Sequence, residues 1–332
     1  DFNPTSRFGI GILSCFMIAD ELIVDTKRAY ENYKSSDPLN IIVQGQDSIF
    51  FIKEGNRKLP GTTVRLILRK TQNPWERMND EKFITSVKAV VPNPPVVIKI
   101  ETVTLNVEHN QENFKSVTAF TLTDRTWEDH ENIKKIEVKL DLSGSGIVGS
   151  AIVGILESKG EPKESIHLSS ISIEVEGEGY TLTKDLELSE NSISQSGESL
   201  SVDDDGEIRK DYSSRELANS RSQLSLHGIE VPSSLFAESW LLSKNQVVLK
   251  WAFPMLLRVD VCSPLDLDLN SSRTELILSE KWTKFEENLA YLICLGIKNQ
   301  VTESYWNSFK QILLSRNKSD SFLKALKRVD EE

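Results

Sequence analysis

Apolar and polar positions alternate along this chain in two rhythms, one of helices and one of strands. From Gly11 to Ala19, residues Ile12, Cys15, Phe16 and Ala19 recur at helical spacing, which predicts a helix burying one face. Strand-like runs follow at 21–26, 39–44 and 48–53. In 63–69, Val64, Leu66 and Leu68 lie on one side, with Arg65 and Arg69 on the other. Residues 80–91 read as a helix that Pro92-Asn93-Pro94-Pro95 stops, and this proline cluster is the first expected domain boundary. From 96 to about 178 the pattern is β-rich. Its clearest strand is 135–142, with Ile136, Val138, Leu140 and Leu142 facing in and Lys135, Glu137, Lys139 and Asp141 facing out. Residues 189–211, rich in Ser, Asp, Glu and Gly, bury too little apolar surface to offset their ordering entropy and are expected to form a mobile loop. Pattern returns at Ser222 and passes through the apolar run 247–261. The chain then ends in helices, with Trp282, Phe285, Leu289, Leu292 and Gly296 on one face and Trp306, Phe309 and Leu313 on another.

Length and charge narrow the function classes. The 332 residues suit two domains better than one, and 39% hydrophobic content is enough for sizeable cores. The balance is acidic, with 50 Asp and Glu against 39 Lys and Arg. The densest basic stretches, Lys134-Lys135 and Arg65 with Arg69-Lys70, sit on alternating strand positions. They read as solvated faces, not as a phosphate-backbone groove, so no nucleic-acid partner is expected. Cys15, Cys262 and Cys294 are scattered in apolar runs, which suggests a reducing, cytoplasmic setting with no disulfide framework. The four histidines have no Glu or Cys at ligand spacing. No apolar run reaches eighteen residues, so no helical membrane span is expected.

The most informative run is Ser6-Arg7-Phe8-Gly9-Ile10-Gly11-Ile12-Leu13-Ser14-Cys15-Phe16. Two glycines two apart, just before an amphipathic segment, give a turn with exposed amides, the raw material of an anion cradle. Alone, such a turn is more often plain punctuation. The wider run resembles the glycine box that closes the ATP lid in the heat-shock protein 90 branch of the GHKL ATPases. The continuation Met17-Ile18-Ala19-Asp20-Glu21-Leu22-Ile23-Val24 is similar to that family's helix end and next strand. Pro60-Gly61-Thr62-Thr63-Val64-Arg65-Leu66 resembles its Gly-Thr pair leading into the last central strand. Far downstream, Leu267-Asp268-Leu269-Asn270-Ser271-Ser272-Arg273-Thr274-Glu275 resembles its middle-domain Leu-Pro-Leu-Asn-x-Ser-Arg-Glu segment.

The resemblance implies an α/β chain. Residues 1–91 would be the latter part of a GHKL sandwich, 92–280 an α/β middle domain, and 281–332 a helical segment beginning the next subdomain. It implies ATP and Mg2+ as cofactors, with Phe8, Gly9, Ile10, Gly11 and Ile12 at the phosphates and Thr62 at the adenine. Arg273 would reach the γ-phosphate on clamp closure, where a planar guanidinium suits phosphate oxygens. The expected partners are a protein client and a second copy in a homodimer, with slow ATP hydrolysis coupled to clamp closure.

The departures also count. Asp268 stands for the proline, Thr274 for the glutamate, and Ile277 where chaperones carry glutamine. The family's Glu- and Asn-bearing helix and its Asp-x-Gly-x-Gly have no counterpart, and are expected before Asp1 in a longer protein. The rival reading is a non-catalytic protein-interaction module. Another GHKL branch would require a basic groove that the sequence lacks. Gly144-Ser145-Gly146-Ile147-Val148-Gly149 fits a dinucleotide fingerprint, but the β-branched Ser150–Leu156 stretch after it predicts a strand where a helix is required. Asp203-Asp204-Asp205 reads as a solvated run.

Overall fold

The computed structural model describes residues 11–30, 35–45, 49–70, 77–114, 130–237 and 247–331. The protein is mixed α/β and strand-rich, and divides into two compact units, 1–84 and 85–332.

In the first unit a 3-10 segment, Gly11–Met17, leads straight into β1 (Ala19–Lys27). The helix expected over 11–19 is therefore a tighter, shorter turn. The Ile18 amide bonds the Cys15 carbonyl three residues back, and the strand-forming run from Ala19 takes over at once. Arg69 closes that end: its Nη2 donates to the Phe16 carbonyl at 2.6 Å and its amide to the Ile18 carbonyl at 3.0 Å. With β2 (Leu39–Val43), β3 (Phe50–Glu54) and β4 (Gly61–Leu68), β1 forms an antiparallel sheet of order β3-β2-β1-β4. Phe16, Leu22 and Val43 form its small core, with Val24, Ile41 and Leu66 half-buried beside them. Helix α1 (Asp80–Val90) comes next, its first turn closed by Asn79 Oδ1 accepting from the Lys82 amide at 2.9 Å.

The second unit begins its strands with a hairpin, β5 (Ile98–Glu101) and β6 (Asn106–His109). Next come β7 (Ile133–Asp141), β8 (Ile147–Ser158) and the short β9 (Glu161–Pro162). Four long strands succeed them: β10 (Ser165–Val175), β11 (Glu178–Ser189), β12 (Ser192–Val202) and β13 (Ile208–Asn219). β14 (Arg221–Leu226), β15 (Ile229–Val231) and β16 (Met255–Val261) complete the strands. Helices α2 (Glu280–Lys298), α3 (Glu303–Arg316) and α4 (Asp320–Glu331) end the described chain.

The main sheet runs β15-β14-β16-β8-β7, with β14 and β16 parallel and β9 attached to β8. All seven residues of β16 are buried, which explains the unbroken apolar character of that run. In β7 the predicted alternation holds for Ile136, Val138 and Leu140, all buried; Leu142 lies past the strand end and is exposed. All three helices share one hydrophobic core with this sheet, so residues 281–331 complete the second unit instead of opening a further subdomain. Gly296 allows that packing, since a Cβ there would stand 2.4 Å from Val138 Cγ1. Trp251, Phe253, Phe309 and Phe322 fill the core as an aromatic cluster with centroids 5.1 to 6.1 Å apart.

Two expectations fail here. Residues 189–211 are not a loop: they hold the end of β11, all of β12 and the start of β13, in a four-stranded antiparallel sheet of order β10-β11-β12-β13. The proline cluster is no linker either. Pro92, Asn93 and Pro94 are buried, and Asn93 Nδ2 donates to Asp260 Oδ2 of β16 at 2.8 Å. The division between the units falls earlier, between Ile84 and Thr85.

Candidate functional site

The sequence singles out residues in both units, so each place is built up separately. Phe8, Gly9 and Ile10 lie outside the described residues. Gly11 and Ile12 open the 3-10 segment that feeds β1. In the first unit the strand registers put Leu22, Leu66, Val43 and Phe50 in one row, and Val24, Val64, Ile41 and Ile52 in the next. Thr26, Thr62 and Leu39 fall in the row beyond, on the same face. This face is covered near Phe16 and open elsewhere: Phe50, Ile52 and Val64 are 55%, 63% and 58% exposed. Val64 and Leu68, which the sequence placed on one side with Leu66, are exposed, and the strand itself forms where predicted.

Thr62 sits at the end of this apolar face. Its hydroxyl lies 2.8 Å from that of Thr26, so each oxygen keeps further hydrogen-bonding capacity for a polar ligand edge. The turn before it needs glycine: Gly61 has φ 137, and Arg57 braces the same turn through the Leu59 carbonyl and the Thr63 hydroxyl. An apolar sheet face ending in two hydroxyls can receive a flat, partly polar group. Among the described residues no group of three or more His, Cys, Asp and Glu is placed to hold a metal ion.

In the second unit Arg273 is at the tip of a tight turn. Asn270 organises that turn: its Oδ1 accepts from the Thr274 amide at 2.9 Å and the Ser272 hydroxyl at 3.1 Å. Its backbone carbonyl takes the Arg273 amide at 3.0 Å. Arg273 has φ 59, a left-handed conformation, and is exposed. Among the described residues its guanidinium makes no hydrogen bond or ion pair. Asp268, which departs from the family pattern, anchors the turn. It and Asp266 grip Lys281 Nζ of α2 at 2.9 and 2.6 Å, and the hydrogen bond to Asp266 leads in raising the Lys281 pKa. The turn is thus tied to the first residues of α2 while Arg273 is held out to solvent.

No family model matches the chain, and no curated protein matches it significantly.

Sequence reasoning missed two polar centres. Asp260, 3% exposed in the apolar β16, accepts from Asn93, from the Ser225 hydroxyl at 2.9 Å and from the Gly228 amide at 2.8 Å. An acidic residue inside an apolar run was its one visible signal. Arg258, 9% exposed, donates from Nε to Gln223 Oε1 at 2.9 Å, and its guanidinium lies 5.6 Å from the Phe114 ring. Burial lowers its pKa. It lines a cavity of about 310 Å³ with Arg221, Ser222, Glu230 and Ser234, which nothing in the sequence foretold. Residues 143–146 turn into β8, so the chain after this glycine run is a strand, as expected, where the fingerprint would require a helix. The triple aspartate is a turn as well, with Asp203 Oδ1 accepting from the Asp205 and Glu207 amides at 3.1 and 2.8 Å.

Proposed function

We propose that this chain is part of a GHKL-like, nucleotide-driven clamp protein, in which ATP binds on the first unit and Arg273 of the second unit approaches the phosphates when the clamp closes. The observation that carries this reading is the state of Arg273: an exposed guanidinium on a turn fixed by Asn270, with no partner among the described residues. An exposed guanidinium on a fixed turn presents a planar fork of donors that suits phosphate oxygens. On the first unit, the open apolar face ending in the Thr26 and Thr62 hydroxyls suits a purine edge. Bound ATP would supply the phosphoryl group whose hydrolysis resets the clamp. Homodimerisation and action on a protein client belong to the same proposal.

The test is a titration of the isotopically labelled chain with Mg·ATP, monitored by NMR. Amide shifts are expected at Gly11, Ile12 and Thr62, with a dissociation constant of about 1 mM, since the family's magnesium and Asp-x-Gly-x-Gly motifs have no counterpart here. Shifts absent from those residues, or micromolar affinity, would contradict the proposal as stated. In any longer form that hydrolyses ATP, Arg273→Ala should leave binding nearly intact and slow hydrolysis about tenfold or more. Arg273→Lys should rescue little, because a point charge does not reproduce the planar fork. Hydrolysis at the parent rate would remove Arg273 from the mechanism.

A second reading, a non-catalytic interaction module, is favoured by one observation: the outer strands β10 and β13 of the four-stranded sheet are exposed along most of their length.

A further inference from the structure

The sheet formed by β10 to β13 is two hairpins joined only near their bases. β11 and β12 pair from Ser189 and Ser192 as far as Lys184 and Gly197. Beyond that point the β10–β11 hairpin continues by itself to Val175 and Glu178, where Glu176 and Gly177 turn it with φ 53 and 86. The β12–β13 hairpin likewise continues to Val202 and Ile208.

Both outer strands of this sheet are edges, and they are built differently. β13 carries Arg209, Lys210, Asp211, Arg215 and Glu216, the charges by which a sheet edge ordinarily discourages a further strand. β10 carries none of these between His167 and Glu174. The six residues there, Leu168-Ser169-Ser170-Ile171-Ser172-Ile173, hold no charge and no proline. All are exposed, Ile171 at 60%, and among the described residues β10 pairs with β11 alone. A bulge between His167 and Ser169 disturbs the pairing only at the basal end. Such an edge offers a row of backbone donors and acceptors flanked by apolar side chains, which an extended chain can join.

Charge decides what kind of chain. Residues 165–219 contain thirteen Asp and Glu against four Lys and Arg, a net charge of −9 out of −11 for the whole protein. On the β10–β11 hairpin the only basic side chains are Lys184 and His167, and His167 is held by Asp185 at 2.6 Å. Glu174, Glu176 and Glu178 surround the tip. A second copy of this sheet would bring the same negative charge, whereas a cationic segment would be attracted. We propose that the outer edge of β10 receives an extended, Lys- or Arg-bearing segment of another protein as an added antiparallel or parallel strand. This surface is independent of the nucleotide proposal.

The probe is a fluorescent octapeptide alternating Lys and Val, titrated against the 332-residue chain, with hydrogen exchange used to locate it. Binding should protect amides in 168–174 and leave 208–216 unchanged. The same peptide N-methylated along one edge should lose binding, and along the other edge should keep it, because strand addition uses one edge only. Glu174→Lys with Glu176→Lys should weaken binding about tenfold while the far-ultraviolet spectrum stays that of the parent. Four results would overturn the proposal. These are no binding at about 1 mM peptide, equal binding by both N-methylated peptides, protection located elsewhere, or sedimentation showing that the β10 edge is already closed by a second copy of the chain.

Discussion

At the level of single residues, the positions that matter most are those where chemistry and geometry allow one side chain. Gly149 in β8 has φ 153, and a Cβ there would stand 2.0 Å from the Arg258 carbonyl of the neighbouring β16. Gly149→Ala must therefore push apart two central strands in an unfavourable backbone conformation. A loss of about 3 kcal/mol or more is expected in urea unfolding of the second unit, monitored through its buried tryptophans. Asp260 is as constrained by its hydrogen bonds. Asp260→Ala leaves the Asn93 amide group and the Gly228 amide without their acceptor inside the protein and Ser225 with only the long bond to the Val259 carbonyl at 3.4 Å, and should cost about 3 kcal/mol or more by the same measurement. Asp260→Asn should cost less. Asn93 Oδ1 is buried without a partner, so turning the Asn93 amide would present an acceptor to the new donor.

Among the elements, the exposed β10–β13 sheet is anchored to the body at its base. Glu164, just before β10, accepts from the Ser315 hydroxyl at 2.7 Å and from Arg316 Nε at 3.2 Å, both at the end of α3. Arg316 Nη1 in turn reaches the Leu188 carbonyl of β11 at 2.6 Å. The Ser315 hydrogen bond, with Arg316 behind it, lowers the Glu164 pKa below its ordinary 4.5. A carboxylate with a depressed folded-state pKa contributes stability that is present above its unfolded pKa and is lost as pH falls through the folded value. The stability difference between the parent and Glu164→Gln should therefore be constant from neutral pH down to about 4.5 and shrink below it. Unfolding midpoints measured from pH 7 to pH 3 check this, and a gap that widens in acid would contradict it.

Across the whole molecule, charge and exposed apolar surface are unevenly placed. Outside 165–219 the chain is close to neutral, at −2. The first unit instead exposes Phe50, Phe51, Ile52 and Val64 around a core of three buried side chains. The two features suit two different kinds of ligand: a flat, partly apolar group on the first unit's sheet, and an extended cationic chain on the second unit's acidic sheet. The peptide and nucleotide titrations read them separately.

Local pattern was enough to specify the elements whose side chains divide cleanly between a buried and an exposed side. β7 was visible from Ile136, Val138 and Leu140, and α2 from Trp282, Phe285 and Leu289, because packing against one core imposes a period. The turn chemistry at Gly61 and the strand after Gly146 were legible for the same local reasons. Everything else was set by contacts between distant parts of the chain. β12 and β13 have few apolar residues and no apolar period to read, β13 being exposed along most of its length, and the backbone ladders with neighbouring strands are what make them strands. The burial of Pro92–Pro94 depends on Asp260, 167 residues beyond Asn93, a partner that no local pattern announces. Arg273 was found by its neighbours in sequence. Its lack of a partner among the described residues comes instead from the Asn270 turn and the Lys281 clamp, which hold the loop so that its guanidinium faces water.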